Sequence, residues 1–345
     1  MAFLGALDSS PNCATKSNSA TTFDTWHRRL CHMSVAKMKL LPRFVRGFQL
    51  KDDGKLENVS DRCPCKVCSA ANFQSLGLRG RTVGAAAANA AMEPGEVTHV
   101  DGLDGFKVPS CLQGYKMAYL FVDEKSRRAM VYGVRHKSQY LDVLQEYVTY
   151  MRSHGHKVKN ILVHIKSDYA AELSAGCAKK WCSENLIQMV HSVPHVPDDN
   201  KLIETYVKLV KKLAQVAAFE SGVPADFWFW FCQIACHVIN VSPQDTTNTT
   251  PYESAFGRPP LVHVLRVPGC LVFFKNYTSN KQSFLCPKAK AGVFVGYDQL
   301  SRSYKVYHLD TKRTVLTDEC RFFEDVFPFK DAELRQTMQL SAEPA

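Results

Sequence analysis

No run of apolar residues in this sequence approaches the roughly 20 that a helix needs to cross a bilayer, so a helical membrane anchor is not expected. Residues 1–7 have no basic start and only a short apolar stretch, which makes them a poor secretory leader. The expected setting is soluble and intracellular, with no membrane partner. The triplet Asp-Ser/Thr-Gly is missing, and so is any aromatic-x-Asp-Asp run, so aspartic-protease and polymerase-type chemistry have no support here. No internal repeat is visible. An even cysteine count is absent too: 13 cysteines cannot all pair within one chain. In a reducing compartment, close-set cysteines are better read as metal ligands and scattered ones as core packing.

Apolar residues make up 46% of the chain, enough for real cores. A length of 345 residues leaves room for two or three domains. The net charge of +10 suits a polyanionic partner. Charge alone does not establish one, because many basic proteins bind nothing of the kind.

Residues 1–22 are rich in Ser, Thr, Asn and Ala and read as a lead-in; 23–77 hold the close His and Cys cluster; 78–95 are a low-complexity linker. From residue 96 the texture changes. Strand-like runs at 96–101, 116–123 and 127–135 precede a helical stretch at 139–152. A strand at 160–165, a helix at 171–184, a short strand at 186–190 and helices at 200–219 and 225–241 follow. Three strands running into β–α alternation predict an α/β class with a mixed sheet covered by helices. After Pro251 the pattern turns to short strands at 270–275, 292–297, 303–309 and 313–317, as in a small β-barrel. Residues 329–345 read as a tail.

His27 and His32 are spaced H-x4-H, and Cys65 and Cys68 are spaced C-x2-C. Two imidazoles and two thiolates satisfy a tetrahedral Zn2+ ion. A segment this small has too little core to fold securely alone, so a metal staple makes physical sense. Five positions along a helix do not share a face, so His27 is placed at a helix start with His32 inside the helix. Cys63 competes with Cys65 for the third position. The bland alternative is four ordinary buried side chains.

Asp101 closes the strand VTHVD, Asp168 follows the strand NILVHI, and Glu204 lies early in the helix that starts near Asn200. The interval between Asp168 and Glu204 accommodates a helix, a strand and a loop. Three carboxylates at the end of a mixed sheet would hold hard divalent cations, Mg2+ or Mn2+. With 33 acidic residues in the chain, chance spacing is the competing account. On the same helix, Asn200, Glu204, Lys208, Lys211 and Lys212 form one polar stripe opposite Ile203, Tyr206, Val207, Val210, Leu213 and Ala217. The lysines suit a phosphate backbone, and equally suit a solvated face. The block Phe227-Trp228-Phe229-Trp230-Phe231 could stack bases, but reads better as a helix entering the core. Cys232, Cys236 and His237 are read the same way, while His154 and His156 are expected in solvent.

TWHRRLCH (25–32) followed by CKVC (65–68) resembles the head that precedes the integrase core in Copia-type LTR retrotransposons. THVDGLDG (98–105), LFVDEKSR (120–127) and HIKSDYAAEL (164–173) resemble the first two catalytic blocks of that core, and DDNKLIE (198–204) the third. TPYESAFGRPP (250–260) and KAKAGVFVGYDQLSRSYKVYHLD (288–310) resemble the segments after it. The matches keep their order across residues 25–326.

The resemblance implies an RNase H-like core at 96–255 with Asp101, Asp168 and Glu204 as ligands for catalytic Mg2+ or Mn2+. It implies a helical zinc-binding head at 23–77, with Zn2+ on His27, His32, Cys65 and Cys68, and an SH3-like β-barrel at 262–328. Lys208 and Lys211 match basic positions near the viral DNA end in retroviral-type integrases, and Lys212 extends that stripe. DNA would be the partner, a homo-oligomer the working form and the nucleus the place of action. The chain departs from the family pattern in carrying Cys31 where glycine is usual, and Tyr169-Ala170-Ala171 in place of Asn-Gly-Gly. Asn200-Lys201 stands in place of Asn-Gly, and Thr205-Tyr206-Val207 in place of Arg-x-Asn. Two readings stay open: an active polynucleotidyl transferase, or an inactive relic that keeps the fold and binds nucleic acid.

Overall fold

The structure is a computed structural model that describes residues 21–50, 65–71, 93–163, 176–191, 201–244, 249–275, 288–298, 301 and 303–331. Cys63, Asp168, Asn200 and most of the 78–95 segment lie outside the described residues.

The central sheet has the order β3-β2-β1-β4-β5. Its strands are β1 (Val97–Leu103), β2 (Met117–Asp123), β3 (Ala129–Val134), β4 (Asn160–Val163) and β5 (Gln188–His191). The first three pair antiparallel, while β4 and β5 run parallel to β1. This is the α/β class expected, a mixed sheet covered by helices. β1 and β2 are buried along their whole length, so neither shows the apolar–polar alternation of a half-exposed strand.

The pleat sorts the side chains onto two faces. Val100, Tyr119, Phe121 and Ile161 face α4 (Tyr140–Ser153) and α5 (Gly176–Glu184), where Val143, Leu144, Tyr147 and Cys182 meet them. Leu103, Leu120, Val122 and Val131 face the other way, against α6 (Lys201–Ser221) and α7 (Trp228–Asn240). The apolar stripe expected on α6 is the buried one. The aromatic block lies in or just before α7 and is buried throughout, as core rather than a base-stacking surface.

A second sheet, entirely antiparallel and in the order β10-β6-β7-β8-β9, forms the tail. Its strands are β6 (Leu271–Lys275), β7 (Ala289–Tyr297), β8 (Tyr304–His308), β9 (Arg313–Thr317) and β10 (Cys320–Phe323). β10 is a strand that the sequence reading did not anticipate. The short helix α8 (Pro251–Phe256) links core to tail, with Thr250 accepting from the Glu253 amide at one end and Gly257 left-handed at the other.

The head comprises α1 (Phe23–Arg29), α2 (Val35–Phe44) and α3 (Lys66–Ala71). Its buried Trp26, Leu30, Met38 and Leu41 belong to the same hydrophobic cluster as α6, α7 and the tail residues Val293 and Val295. Head, core and tail therefore share one interior. Gly269 shows how close the contact is. Its φ is +78°, and a Cβ there would come within 2.3 Å of the Ser221 Cβ at the end of α6.

Candidate metal centre and carboxylate edge

Thr22 caps α1 by accepting from the Thr25 amide at 3.2 Å, and the helix ends at Arg29. Cys31 and His32 then adopt left-handed backbone, with φ of 49° and 60°. This corrects the expected geometry. His27 sits in the last turn of the helix rather than at its start, and His32 lies beyond it rather than inside. Two consecutive left-handed residues turn the chain back, so the two imidazoles meet edge to face at 4.8 Å. Such a conformation is costly for any residue with a Cβ. That explains why glycine is usual at position 31 in the resembling family. Here Cys31 repays the strain by full burial.

Cys65 precedes α3 and Cys68 lies in its first turn. The ligand atoms of His27, His32, Cys65 and Cys68 all lie within 4.8 Å of one another. His27 Nε2 is 3.2 Å from Cys68 Sγ, and His32 Nδ1 is 3.5 Å from Cys65 Sγ and 3.6 Å from Cys68 Sγ. A tetrahedral zinc with Zn–N near 2.0–2.1 Å and Zn–S near 2.3 Å needs N–S edges of about 3.5 Å. The donor set and its spacing fit zinc.

The remaining ring nitrogens are held from behind. His27 Nδ1 lies 3.0 Å from the Met33 carbonyl. Burial, aided by the neighbouring His32, pushes the His27 imidazole down to about 4, so it is neutral and able to ligate at pH 7. His32 Nε2 lies 3.0 Å from Glu220 Oε2, and Arg28 Nε donates to Glu220 Oε1 at 2.8 Å. Burial works to raise the Glu220 carboxyl, but the His32 hydrogen bond and the Arg28 guanidinium outweigh it and hold the group below its ordinary range. Glu220 escaped the sequence reading. The signal was present: the residue continues the buried stripe from Leu213 and Ala217, and an acid on an apolar face needs a partner.

Asp101 is fully buried and does not end its strand, because β1 continues through Gly102 and Leu103, paired with Tyr119 and Ala118. Its Oδ1 accepts from the Gly102 amide at 2.7 Å. In the pleat it shares the face of Leu103 and pairs with Leu120, so it points to the side covered by α6. Glu204 lies in the first turn of α6, half exposed and 3.9 Å from Lys208. Lys211, one turn further along, is 3.6 Å from Asp104, which follows β1. β4 runs parallel to β1 and pairs Val163 with Val100, so the chain leaves β4 at the edge where Asp101 sits. Asp168 comes after that point, outside the described residues.

Other histidines fall into place as packing. His237 stacks on Tyr297 at 4.3 Å, and burial lowers it to about 4. His154 is exposed as expected; His156 is not, being half-buried with Nδ1 3.2 Å from the Pro94 carbonyl. Among the described residues no helix is long and apolar enough to cross a membrane.

Residues 4–72 match the model of the GAG-pre-integrase domain, and residues 270–335 that of the retroviral polymerase SH3-like domain. Over 220 residues the chain is 26% identical to the retrovirus-related Pol polyprotein from transposon RE1 of Arabidopsis thaliana, covering 63% of this chain and 14% of that protein. Over 314 residues it is 24% identical to the corresponding RE2 polyprotein of the same plant, covering 90% of this chain and 20% of that protein. The chain thus spans a fifth or less of the length of these relatives. Among solved structures, the catalytic core domain of BIV integrase aligns with a TM-score of 0.36 and 13% identity, over 47% of this chain and 95% of that one. With a stretch like the GAG-pre-integrase domain, a mixed α/β core and a stretch like the retroviral polymerase SH3-like domain in that order, the chain is similar to a part of the retrovirus-related Pol polyproteins of Copia-type plant transposons.

Proposed function

We propose that this chain carries out metal-dependent polynucleotidyl transfer on DNA, processing 3′ ends and joining them to a target duplex. Asp101, Asp168 and Glu204 would hold Mg2+ or Mn2+, and His27, His32, Cys65 and Cys68 would hold a structural Zn2+. The observation that carries the reading is the placement of Asp101. It is buried, on the face covered by the helix that bears Glu204, at the edge where the chain leaves β4 towards Asp168. Divalent ions held there by Asp101, Asp168 and Glu204 would supply Lewis acidity to the attacking and leaving oxygens of a phosphodiester. The protein's own part would be to hold Asp101 on a buried strand and Glu204 in the first turn of the helix that covers that strand's face, with lysines further along the helix.

The test is strand transfer with generic DNA ends in Mg2+ or Mn2+. Wild type should join ends to target, and Glu204→Gln should fall to background. A Gln variant as active as wild type would remove Glu204 from the site. A wild type that binds DNA without transferring it would leave the inactive, nucleic-acid-binding alternative.

Lys208, Lys211 and Lys212 would meet DNA phosphates, and a homo-oligomer acting in the nucleus would be the working form. Lys208 and Lys211 lie one and two turns beyond Glu204 on its own face. Each phosphate contact by lysine adds about 0.9 to the slope of log affinity against log salt. Replacing both by alanine should flatten that slope by about two units, and weaken binding alike on all sequences. Fold stability should barely move, because the buried stripe of α6 is untouched. An unchanged slope would make them a solvated face.

A further inference from the structure

Glu220 has one carboxylate oxygen 3.0 Å from His32 Nε2, and the other accepts from Arg28 Nε at 2.8 Å. It stands in the last turn of α6, sixteen positions after Glu204 on the same helix. The three side chains are almost wholly enclosed, with 1% of the His32 side chain and 9% of the Glu220 and Arg28 side chains exposed. Arg28 continues outward, donating to Asp325 Oδ1 at 2.7 Å and to the Glu324 carbonyl beyond β10. A ligand imidazole of the head is therefore aimed by a carboxylate of the core, and that carboxylate is clasped by an arginine reaching the tail.

A histidine ligates through one ring nitrogen, and the group bonded to the other fixes its tautomer and its angle. With Nδ1 turned to the two thiols, His32 must present Nε2 to Glu220, and the carboxylate is the natural acceptor of that N–H. Solvent cannot substitute, because the side chain is enclosed. Nothing in a C-x2-C and H-x4-H pattern requires this acid; it comes from a different unit of the chain.

We propose that Glu220 is a positioning residue for the head's metal centre, orienting His32 for ligation and so tying metal loading to the carboxyl end of α6. The inference rests on reading the His2Cys2 cluster as a zinc site.

The test compares zinc affinity of the full chain by chelator competition for wild type, Glu220→Gln and Arg29→Gln. Arg29 bonds Glu324 through Nε at 2.8 Å from the same helix as Arg28, but does not contact Glu220. Glu220→Gln should weaken zinc by about 10- to 100-fold, the range seen when such outer partners are removed. Arg29→Gln should leave the affinity within about twofold. Cobalt-loaded protein gives a readout that general destabilisation would not move: the visible bands should shift in Glu220→Gln and not in Arg29→Gln. Zinc should also slow amide exchange over 214–221 in wild type and do so less in Glu220→Gln. Should the glutamine variant not fold, Glu220→Asp keeps the charge and shortens the reach, and the same spectral shift with a smaller affinity loss is expected. Wild-type affinity and an unchanged cobalt spectrum in either variant would overturn the proposal. So would an equal loss in Arg29→Gln. A wild type that takes up no zinc would instead overturn the zinc reading itself.

Discussion

Cys68→Ser is expected to abolish stoichiometric zinc binding by the full chain and to lower its melting temperature by on the order of 10 °C or more. Metal analysis should find about one zinc per wild-type chain. The four donors converge within 4.8 Å, an arrangement that one shared tetrahedral ion would hold together. Structural zinc contributes on the order of 10 kcal/mol in small metal-dependent modules. Less should be visible here, because Trp26, Leu30, Met38 and Leu41 stay packed on the core. A loss of several kcal/mol still moves the transition by about 2–4 °C per kcal/mol in a chain of this order of size. Complete zinc removal with an unchanged melting curve would sink the assignment. The Cys63 alternative has its own outcome: if Cys63→Ser abolishes binding and Cys65→Ser does not, the ligand is Cys63.

The second large effect is expected at Trp230. The indole is 1% exposed and stands in the cluster that joins the three units. Its ring centre is 4.8 Å from that of Phe227 and 5.7 Å from that of Tyr307 on β8. Trp230→Ala should cost about 3–5 kcal/mol, the usual range for emptying a fully buried aromatic site. Trp230→Phe should cost much less than its lost volume suggests. The buried Nε1 finds no hydrogen-bond acceptor among the described residues, and removing an unsatisfied donor recovers part of a penalty of about 1–3 kcal/mol. Urea unfolding checks both: the midpoint should fall far for Ala and little for Phe, in one transition with an unchanged slope. Separate transitions for core and tail would show that the shared interior does not couple them.

Much of this was legible in the chain. The α6 stripe could be read because a 3.6-residue period separates Ile203, Val207 and Val210 from Glu204, Lys208 and Lys211. The tail's β6 to β9 could be read because glycine and aspartate punctuate them. β10 could not: it has four residues, and three of them are not buried. The ends of β1 were blurred because both its faces are covered, which removes the period-2 signal. The left-handed turn at Cys31 and His32 was hard to read from residue type, since no glycine marks it and Cys31 does not favour that conformation. Glu220 was missed for a different reason. Its place on the buried stripe marks an acid that needs a partner, but which partner is set by residues far away in sequence, in the helix and loop of the head.

The interior shared by head, core and tail also bears on how copies of this protein could assemble. A head whose tryptophan lies under the core's own helices cannot be lent to a neighbour without opening the very cluster that keeps those helices in place. Partners would have to meet on outer faces, as blocks already complete, and the path of a bound duplex would be drawn by where those blocks touch rather than by the swing of a tethered module.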